Sequence, residues 1–385
     1  MPELTPEDAL RLNVLLAGET QAIRIDDAAL TVHALTPRGE AKVKLHPSGR
    51  PDQYLRLVRE LLAGHAIGSP GGYPNYIQRW TRMGQARDKG LDRLLLLGEP
   101  EAVVSVAYSN GLTDELARRA WWAMPVADNA RRMLERESVV QGGMGKILAE
   151  FLIEHLPFEN QPHVIIDTVR IVLQPGLADE AARRRLWGRG GHDSAYYVGF
   201  LERMPDELPE PCAGRADGAA WQPRLAALGT RGNPYAALLA RTLSGPGQAF
   251  LKASEEVLRS PADQDVANAL LNVLAAYFAT VRPPSRDGGN TAEAAVADAE
   301  ALGAGADQPD TLREMLETLP ELSKEVCAML TLSRMDAEVA TPVLARTTAA
   351  GTLMRRKLEP VSTPILHQLA VLRGVPFTPA ASRRR

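Results

Sequence analysis

The sequence has few cysteines and few aromatic residues. Cys212 and Cys327 are the two cysteines among 385 residues, and they have neither CxxC spacing nor a histidine nearby. This pattern argues against a zinc or iron–sulfur site and is typical of reduced, structural thiols in the cytoplasm. Aromatic residues make up 5% of the chain, so we expect a core of Leu, Val and Ala, which favours helix-on-helix packing.

The sequence also lacks a long apolar run and a large net charge. No stretch approaches the roughly 20 apolar residues that span a bilayer, and the N-terminus MPELTPEDALRLNVLLAG has acids where a signal peptide has bases. We therefore predict a cytoplasmic protein without membrane insertion. The formal net charge of -3 argues against bulk attraction to nucleic acid, while a local basic patch remains compatible with it.

Signatures of common catalytic and cofactor sites are missing as well. The run GGMGK at 142–146 resembles a phosphate-binding loop, but Val140 and Ile147 stand where the Walker pattern needs Gly and Ser or Thr. No HExxH motif occurs, and Ser69 fails the glycine pattern of a nucleophile elbow. The motifs therefore predict no catalytic residue, no metal and no cofactor.

Residues 1–66 have the pattern of a small α+β module. Thr5 and Pro6 indicate a helix start, with a capping side chain followed by proline in the first turn. Apolar residues then alternate over 23–34 and again over 41–45, with a Pro-Arg-Gly turn between the two stretches, which predicts a short antiparallel meander. A helix over about 52–63 completes the module.

Behind this module the apolar spacing predicts helices at short intervals, and so a mainly α protein. Short connections make consecutive helices antiparallel neighbours, in an irregular α-solenoid or a bundle, and no repeated signature decides between the two. Polar stretches with Pro and Gly divide this multihelical array. The predicted limits are the α+β module at 1–66, a helical array at 67–204, helical segments at 221–282 and 291–375, and linkers near 205–220 and 283–290.

Three local patterns in the array give specific predictions. The segment 164–173 is rich in β-branched residues, yet its helical neighbours and the preceding Pro162 favour a helix. Ser260 and Asp310 each precede an apolar helical stripe, and we expect both to cap the helices that they introduce.

The least regular place is the Gly/Pro-rich segment IGSPGGYPNYIQRWTRMGQARDKG at 67–90. A short helix from Pro74 puts Arg79 and Arg82 near each other, and paired arginines beside a Gly-rich loop can hold a phosphate or carboxylate. The alternative is a loop that caps the helix, with the arginines paired to Asp or Glu. The candidate ligand- or partner-binding residues of this segment are Gly71, Gly72, Tyr73, Arg79, Trp80 and Arg82.

His192, in the run GGHDS, is a second candidate. It stands beside Asp193, a combination compatible with an acid–base pair, and two tyrosines follow closely. Adjacent residues on a helix do not face each other, so such a pair requires loop geometry. The alternative is structural, with Asp193 or Ser194 capping a helix that buries Tyr197 and the apolar residues after it.

Arginines also occur in clusters, at 118–119, 131–132, 183–185 and 355–357. On stacked helices the first three clusters are compatible with one surface that attracts RNA or an acidic protein. The alternative is a solvated face on which nearby acids balance the arginines. The acids expected to do so are Glu115, Glu135, Asp179 and Glu180.

Several stretches resemble the DsrS family, soluble proteins of dissimilatory sulfur-oxidation gene clusters in sulfur bacteria. They are LTPEDALRLNVLLAG, GEAKVKL, GSPGGYPNYIQRWTRMGQ and AWWAMPVADNARRML. The resemblance covers the chain to about residue 201 and carries no catalytic residues. It implies an accessory or regulatory role in the oxidation of stored sulfur, in the cytoplasm, with no established cofactor.

Three functional hypotheses are compatible with these patterns. The first is a non-catalytic accessory or regulatory protein that contacts other proteins of the sulfur-oxidation system through a helical array. The second is an enzyme with a cleft near 71–82 or His192, which requires Arg79, Arg82 or His192 to converge with another polar group in a concave pocket. The third is an RNA-binding protein, which requires a contiguous positive surface.

Overall fold

The computed structural model describes residues 3–68, 90–284, 291–344 and 351–378. The protein is mainly helical (67%), with an N-terminal helix and a three-stranded antiparallel sheet, which confirms the predicted fold class. The strands are β1 (Ala22–Asp26), β2 (Thr31–Thr36) and β3 (Gly39–Lys44). The helices are α1 (Pro6–Ala17), α2 (Pro51–Ile67), α3 (Leu91–Leu94), α4 (Pro100–Ala107), α5 (Asp114–Ala123), α6 (Ala127–Met133), α7 (Glu137–Val140), α8 (Gly143–His155), α9 (Pro162–Val172), α10 (Glu180–Arg189), α11 (Ser194–Arg203), α12 (Gly218–Thr230), α13 (Pro234–Leu243), α14 (Gly245–Arg259), α15 (Gln264–Tyr277), α16 (Ala292–Gly303), α17 (Asp310–Thr318), α18 (Ser323–Leu332), α19 (Ala337–Leu344) and α20 (Gly351–Arg373).

The N-terminal module has the predicted meander, with strand order β1-β2-β3. Val32 lies at the centre of the sheet, opposite Ile25 on one side and Val43 on the other. Alternation of apolar and polar residues puts one face of the sheet on the core, where it packs against buried leucines of both flanking helices. Leu12 from α1 and Leu62 from α2 are fully buried in this cluster.

A buried hydrogen-bond network joins the three parts of the module. The carboxylate of Asp8, on α1, is fully buried. It accepts a hydrogen bond of 2.6 Å from the Tyr54 hydroxyl on α2 and one of 2.7 Å from the backbone N–H of His46, after β3. The Thr5 side chain caps α1, as predicted, by accepting from the Asp8 N–H at 3.3 Å. The helix start and the core of the module are thus stabilised by the same residues.

The described chain divides into two compact units. One comprises the described residues within Met1–Pro157 and Gln174–Ala178, and the other those within Phe158–Leu173 and Asp179–Arg385. The module therefore belongs to a larger first unit that continues through α8.

Contacts from β1 illustrate how the module continues into the helices of the first unit. The Ile23 N–H donates to the Leu95 carbonyl at 2.8 Å. The Arg24 guanidinium lies 4.8 Å from the ring centroid of Trp122 on α5, close enough for a cation–π interaction. The sheet is thereby joined to the helical part of this unit by both backbone and side chains.

Helices distant in sequence pack together in the second unit. α9 contacts α11 and α15, and α14 contacts α20. In a solenoid each repeat contacts only its neighbours in sequence. Of the two arrangements that the sequence leaves open, this unit therefore has that of a bundle.

The stretch 204–217, between α11 and α12, contains no helix, and α12 begins at Gly218, within the predicted linker near 205–220. Its residue Arg215 is largely buried and donates to the Asp217 carboxylate at 2.7 and 2.9 Å, to Glu325 on α18 at 2.8 Å and to the Val371 carbonyl on α20 at 3.3 Å. Arg215 is therefore one of several residues that anchor the loop to the bundle. Asp206 and Glu210 of the same loop pair with Arg241 on α13 and Lys252 on α14.

Local helix predictions were partly correct. The β-branched segment forms α9 (Pro162–Val172), which confirms the prediction of a helix there. Ser260 is not an N-cap: its N–H donates to the Val257 carbonyl at the end of α14, and Asp263 caps α15 instead. Asp310 is the first residue of its helix, after Pro309, rather than the cap.

Candidate functional site

Most of the predicted site residues lie outside the described residues. These are Gly71, Gly72, Tyr73, Arg79, Trp80 and Arg82. Their role in ligand or partner binding stays a prediction. His192 is described, and the site can be built around it.

The turn that carries His192 joins α10 to α11. The N–H groups of His192 and Asp193 both donate to the Arg189 carbonyl, at 2.9 and 3.0 Å. Asp193 then caps α11, because its side chain accepts from the Ala195 N–H at 3.0 Å. This confirms the structural alternative for Asp193. Its carboxylate is engaged with the helix start and forms no described hydrogen bond with the neighbouring imidazole.

Aromatic packing holds this turn in place. The ring of Tyr197 lies against Gly190 so closely that a Cβ there would stand 2.2 Å from the ring, so this position requires glycine. Trp187, on α10, lies 4.4 Å from the Tyr197 ring and 5.2 Å edge-on from Phe200, between centroids. The end of α10 and the start of α11 are thereby packed together under His192.

The turn opens on a cleft of about 280 Å³ within the second unit. The cleft brings the start of α11 together with the end of α14, the residues after it, and the start of α20. We call it the His192 cleft, and its polar lining is formed by His192, Ser194, Tyr197, Glu256, Ser260 and Arg355. The convergence that the enzyme hypothesis requires of His192 is therefore present here.

The polar side chains that line the His192 cleft form few hydrogen bonds or ion pairs within the described parts of the protein. Glu256 makes no ion pair there, and Arg355 donates only to the Thr352 hydroxyl, at 3.2 Å. The Ser194 Oγ is shielded from solvent and has no hydrogen-bond partner among the described residues. Burial, and secondarily the charge of Glu256, raise the pKa of Tyr197. The cleft thus offers polar groups to something other than these residues.

The arginine cluster on α5, by contrast, is paired within its own helix. Glu115 accepts hydrogen bonds from both Arg118 and Arg119. The hydrogen bond from Arg118 outweighs burial and, with that from Arg119, lowers the pKa of Glu115 to about 2. Such a carboxylate stays charged at any physiological pH. This pairing favours a solvated surface of mixed sign at this cluster.

Two further clusters, at 131–132 and 183–185, also contain ion pairs. Arg132 donates to both oxygens of Glu135 at 2.9 Å. The remaining close pairs are Arg131 with Asp128 and Arg184 with Glu180. A binding surface for RNA requires uncompensated charge, so these pairs favour the balanced alternative.

The glycine run before α8 is occupied by an acid from α5. Asp114 accepts from the N–H groups of Gly143 and Met144, at 3.0 and 2.9 Å. A Cβ at Gly142 would stand 2.2 Å from its carboxylate. The backbone donors that a phosphate would need are already engaged, in agreement with the failed Walker pattern.

The sequence predicted His192 as a site residue, but it did not predict the residues that line the opposite side of the His192 cleft. Glu256 and Ser260 follow an ordinary helical stripe, and no local pattern distinguishes them. Arg355 carried a signal only as one of a basic cluster. These residues meet His192 because α14 packs against both α11 and α20, which local periodicity does not predict.

Comparison with known proteins gave no match to a family model, a curated protein or a solved structure. The resemblance to the DsrS family therefore stays a prediction. Within the ranges that the structure describes, no three His, Cys, Asp or Glu side chains are grouped to hold a metal. The helices described there also include none with the length and apolar character to cross a membrane.

Proposed function

We propose that this protein is a non-catalytic accessory or regulatory protein of cytoplasmic dissimilatory sulfur oxidation, and that it acts by binding. The process comes from the resemblance to the DsrS family. The binding role is supported by the His192 cleft, whose polar side chains line one space without hydrogen bonds to one another in the described residues.

The arrangement supports binding better than catalysis. A catalytic nucleophile is normally hydrogen-bonded to a base, and the base is oriented by a third group. Asp193, the carboxylate next to His192 in sequence, is engaged in capping α11. Ligand binding requires only a cleft and polar side chains that can hydrogen-bond a ligand, and the His192 cleft provides both.

The partners that we propose are other proteins of the sulfur-oxidation system. RNA is the less well supported partner, because five of the seven arginines in the clusters at 118–119, 131–132 and 183–185 pair with acidic side chains. A tagged chain purified from sulfur-oxidising cells should retain those proteins after nuclease treatment. Loss of the partners with nuclease would instead favour the RNA hypothesis.

Deletion of the gene in its own host tests the proposed process. We expect the deletion strain to oxidise stored sulfur several-fold more slowly than the parent, and to grow normally on electron donors other than sulfur. Stored sulfur is measured over time after the external supply is exhausted. The wild-type gene in trans should restore the rate.

The proposal has a clear contrary outcome. An unchanged rate of sulfur consumption in the deletion strain would contradict a role in this process. A defect on every electron donor would also contradict it, because the role would then not be specific to sulfur.

A further inference from the structure

The His192 cleft contains one acidic and one basic side chain that are not paired with each other. Glu256, near the end of α14, and Arg355, near the start of α20, both line it. Neither has an ion-pair partner among the residues that the structure describes. Glu256 is exposed to solvent, so its carboxylate is accessible to a ligand.

Two other arginines of the same unit do have ion-pair partners. Arg215 pairs with Glu325 at 2.8 Å, and Arg241 pairs with Asp206 at 2.7 Å. Arg355 is also half-buried, and its described hydrogen bond is to a neutral hydroxyl. Its guanidinium fork, which suits a carboxylate, therefore remains available to a ligand.

Two further groups in the cleft can hydrogen-bond a ligand. The Ser194 hydroxyl is shielded from solvent and has no described partner, a condition that a ligand would relieve. The His192 side chain is exposed and lines the same space. The cleft volume of about 280 Å³ lies just below the roughly 300–1,000 Å³ of pockets for drug-sized molecules, so it fits a ligand of few atoms.

We propose that the His192 cleft binds a small zwitterion of the α-amino acid type, with its carboxylate at Arg355 and its ammonium group at Glu256. A ligand of one charge would satisfy one of these side chains and leave the other unpaired. Ser194 and His192 supply the remaining hydrogen bonds. This inference deepens the proposed function, because it names the class of molecule that the binding protein takes.

Binding to the purified full-length chain tests the ligand class. Each proteinogenic L-amino acid is titrated calorimetrically at millimolar concentration. For any that binds, the matching 2-hydroxy acid and the matching amine without a carboxylate are titrated as well. We expect at least one amino acid to bind, and both single-charge analogues to bind at least tenfold more weakly.

Variants locate the binding. R355Q and E256Q should each weaken binding of that amino acid at least tenfold, whereas R356Q, at the next residue, and E359Q, one turn further along α20, should leave it unchanged. Arg356 and Glu359 are exposed and do not line the cleft. S194A should also weaken binding several-fold. It removes only a hydroxyl, so it keeps the test valid if a charge variant does not fold.

Three results would overturn the inference: no amino acid binds the wild type, a single-charge analogue binds as well as the zwitterion, or R355Q and E256Q match their controls. These results are independent of the deletion phenotype. A strain without a sulfur defect would refute the proposed process and leave the ligand class intact, while absent binding would refute the ligand class alone.

Discussion

Asp8 shows how one buried charge is tolerated. Burial raises its pKa, but hydrogen bonds from the His46 N–H and the Tyr54 hydroxyl outweigh this and leave the pKa below its ordinary value. A carboxylate with a lowered folded-state pKa stabilises the fold above its unfolded-state pKa, and this stabilisation is lost as the pH falls through the folded-state pKa. The N-terminal module should therefore weaken in acid.

The variant Asp8→Asn tests this stabilisation. At pH 7 we expect it to lower the free energy of opening of the module by about 1–3 kcal/mol, since it removes the charge from buried hydrogen bonds. The difference from wild type should shrink as the pH falls below about 4, near the ordinary carboxyl pKa. Hydrogen exchange of the amides of α1 and β3 measures both.

Glu7→Gln on the same helix is the matched control. Glu7 is exposed and pairs with Arg11 on the surface, a type of pair that contributes about 0–1 kcal/mol. Equal protection of wild type and Asp8→Asn at pH 7 would show that the buried network does not stabilise the module.

Helix starts show which local signals decide the elements. Thr5 caps α1 as predicted, and its side chain accepts from the N–H three residues on; Thr113 does the same at the start of α5. Ser260 carries the same signal but fails, because its N–H closes the last turn of α14. Asp263 then accepts from the Val266 N–H at 2.9 Å. Ser260 and Asp263 are both suitable N-cap residues, and Asp263 takes this role because Ser260 belongs to the end of α14.

Replacing Asp263 by Ala should therefore destabilise α15, whereas replacing Ser260 by Ala should not. We expect Asp263→Ala to lower the free energy of unfolding of the second unit by about 1 kcal/mol, the usual cost of losing an N-cap. Ser260→Ala should change it by much less. Denaturant unfolding of the two variants and wild type measures the difference, and a larger loss from Ser260→Ala would reinstate the sequence-based cap.

At the scale of the whole molecule, the sequence predicts secondary structure and fold class better than it predicts tertiary contacts between distant segments. Periodicity sufficed for the meander and for the helical character, because both depend on neighbours a few residues apart. The His192 cleft joins residues near 192, 256 and 355, and the bundle joins α9 to α15. Such contacts depend on tertiary packing, for which a single sequence has no local signal.

Arg215 is the clearest case, because a loop residue with no recognisable motif connects its own loop to α18 and α20. Its buried partner Glu325 is only 7% exposed. We expect Arg215→Ala to destabilise this unit by about 3–5 kcal/mol, since it leaves a buried carboxylate unpaired. Hydrogen exchange in the segments 213–230 and 323–332 should report the loss.

Two further variants distinguish the buried charge from ordinary surface pairing. Arg224 pairs with Glu321 on the surface. Replacing Arg224 by Ala should lower the free energy of unfolding of the second unit by less than about 1 kcal/mol. Adding Glu325→Leu to Arg215→Leu should recover part of the stability lost in Arg215→Leu alone, because removing both charges costs less than leaving one of them buried. If the double variant is no more stable than that single variant, the cost lies in the lost packing of the arginine, and the loop is anchored by shape rather than by charge.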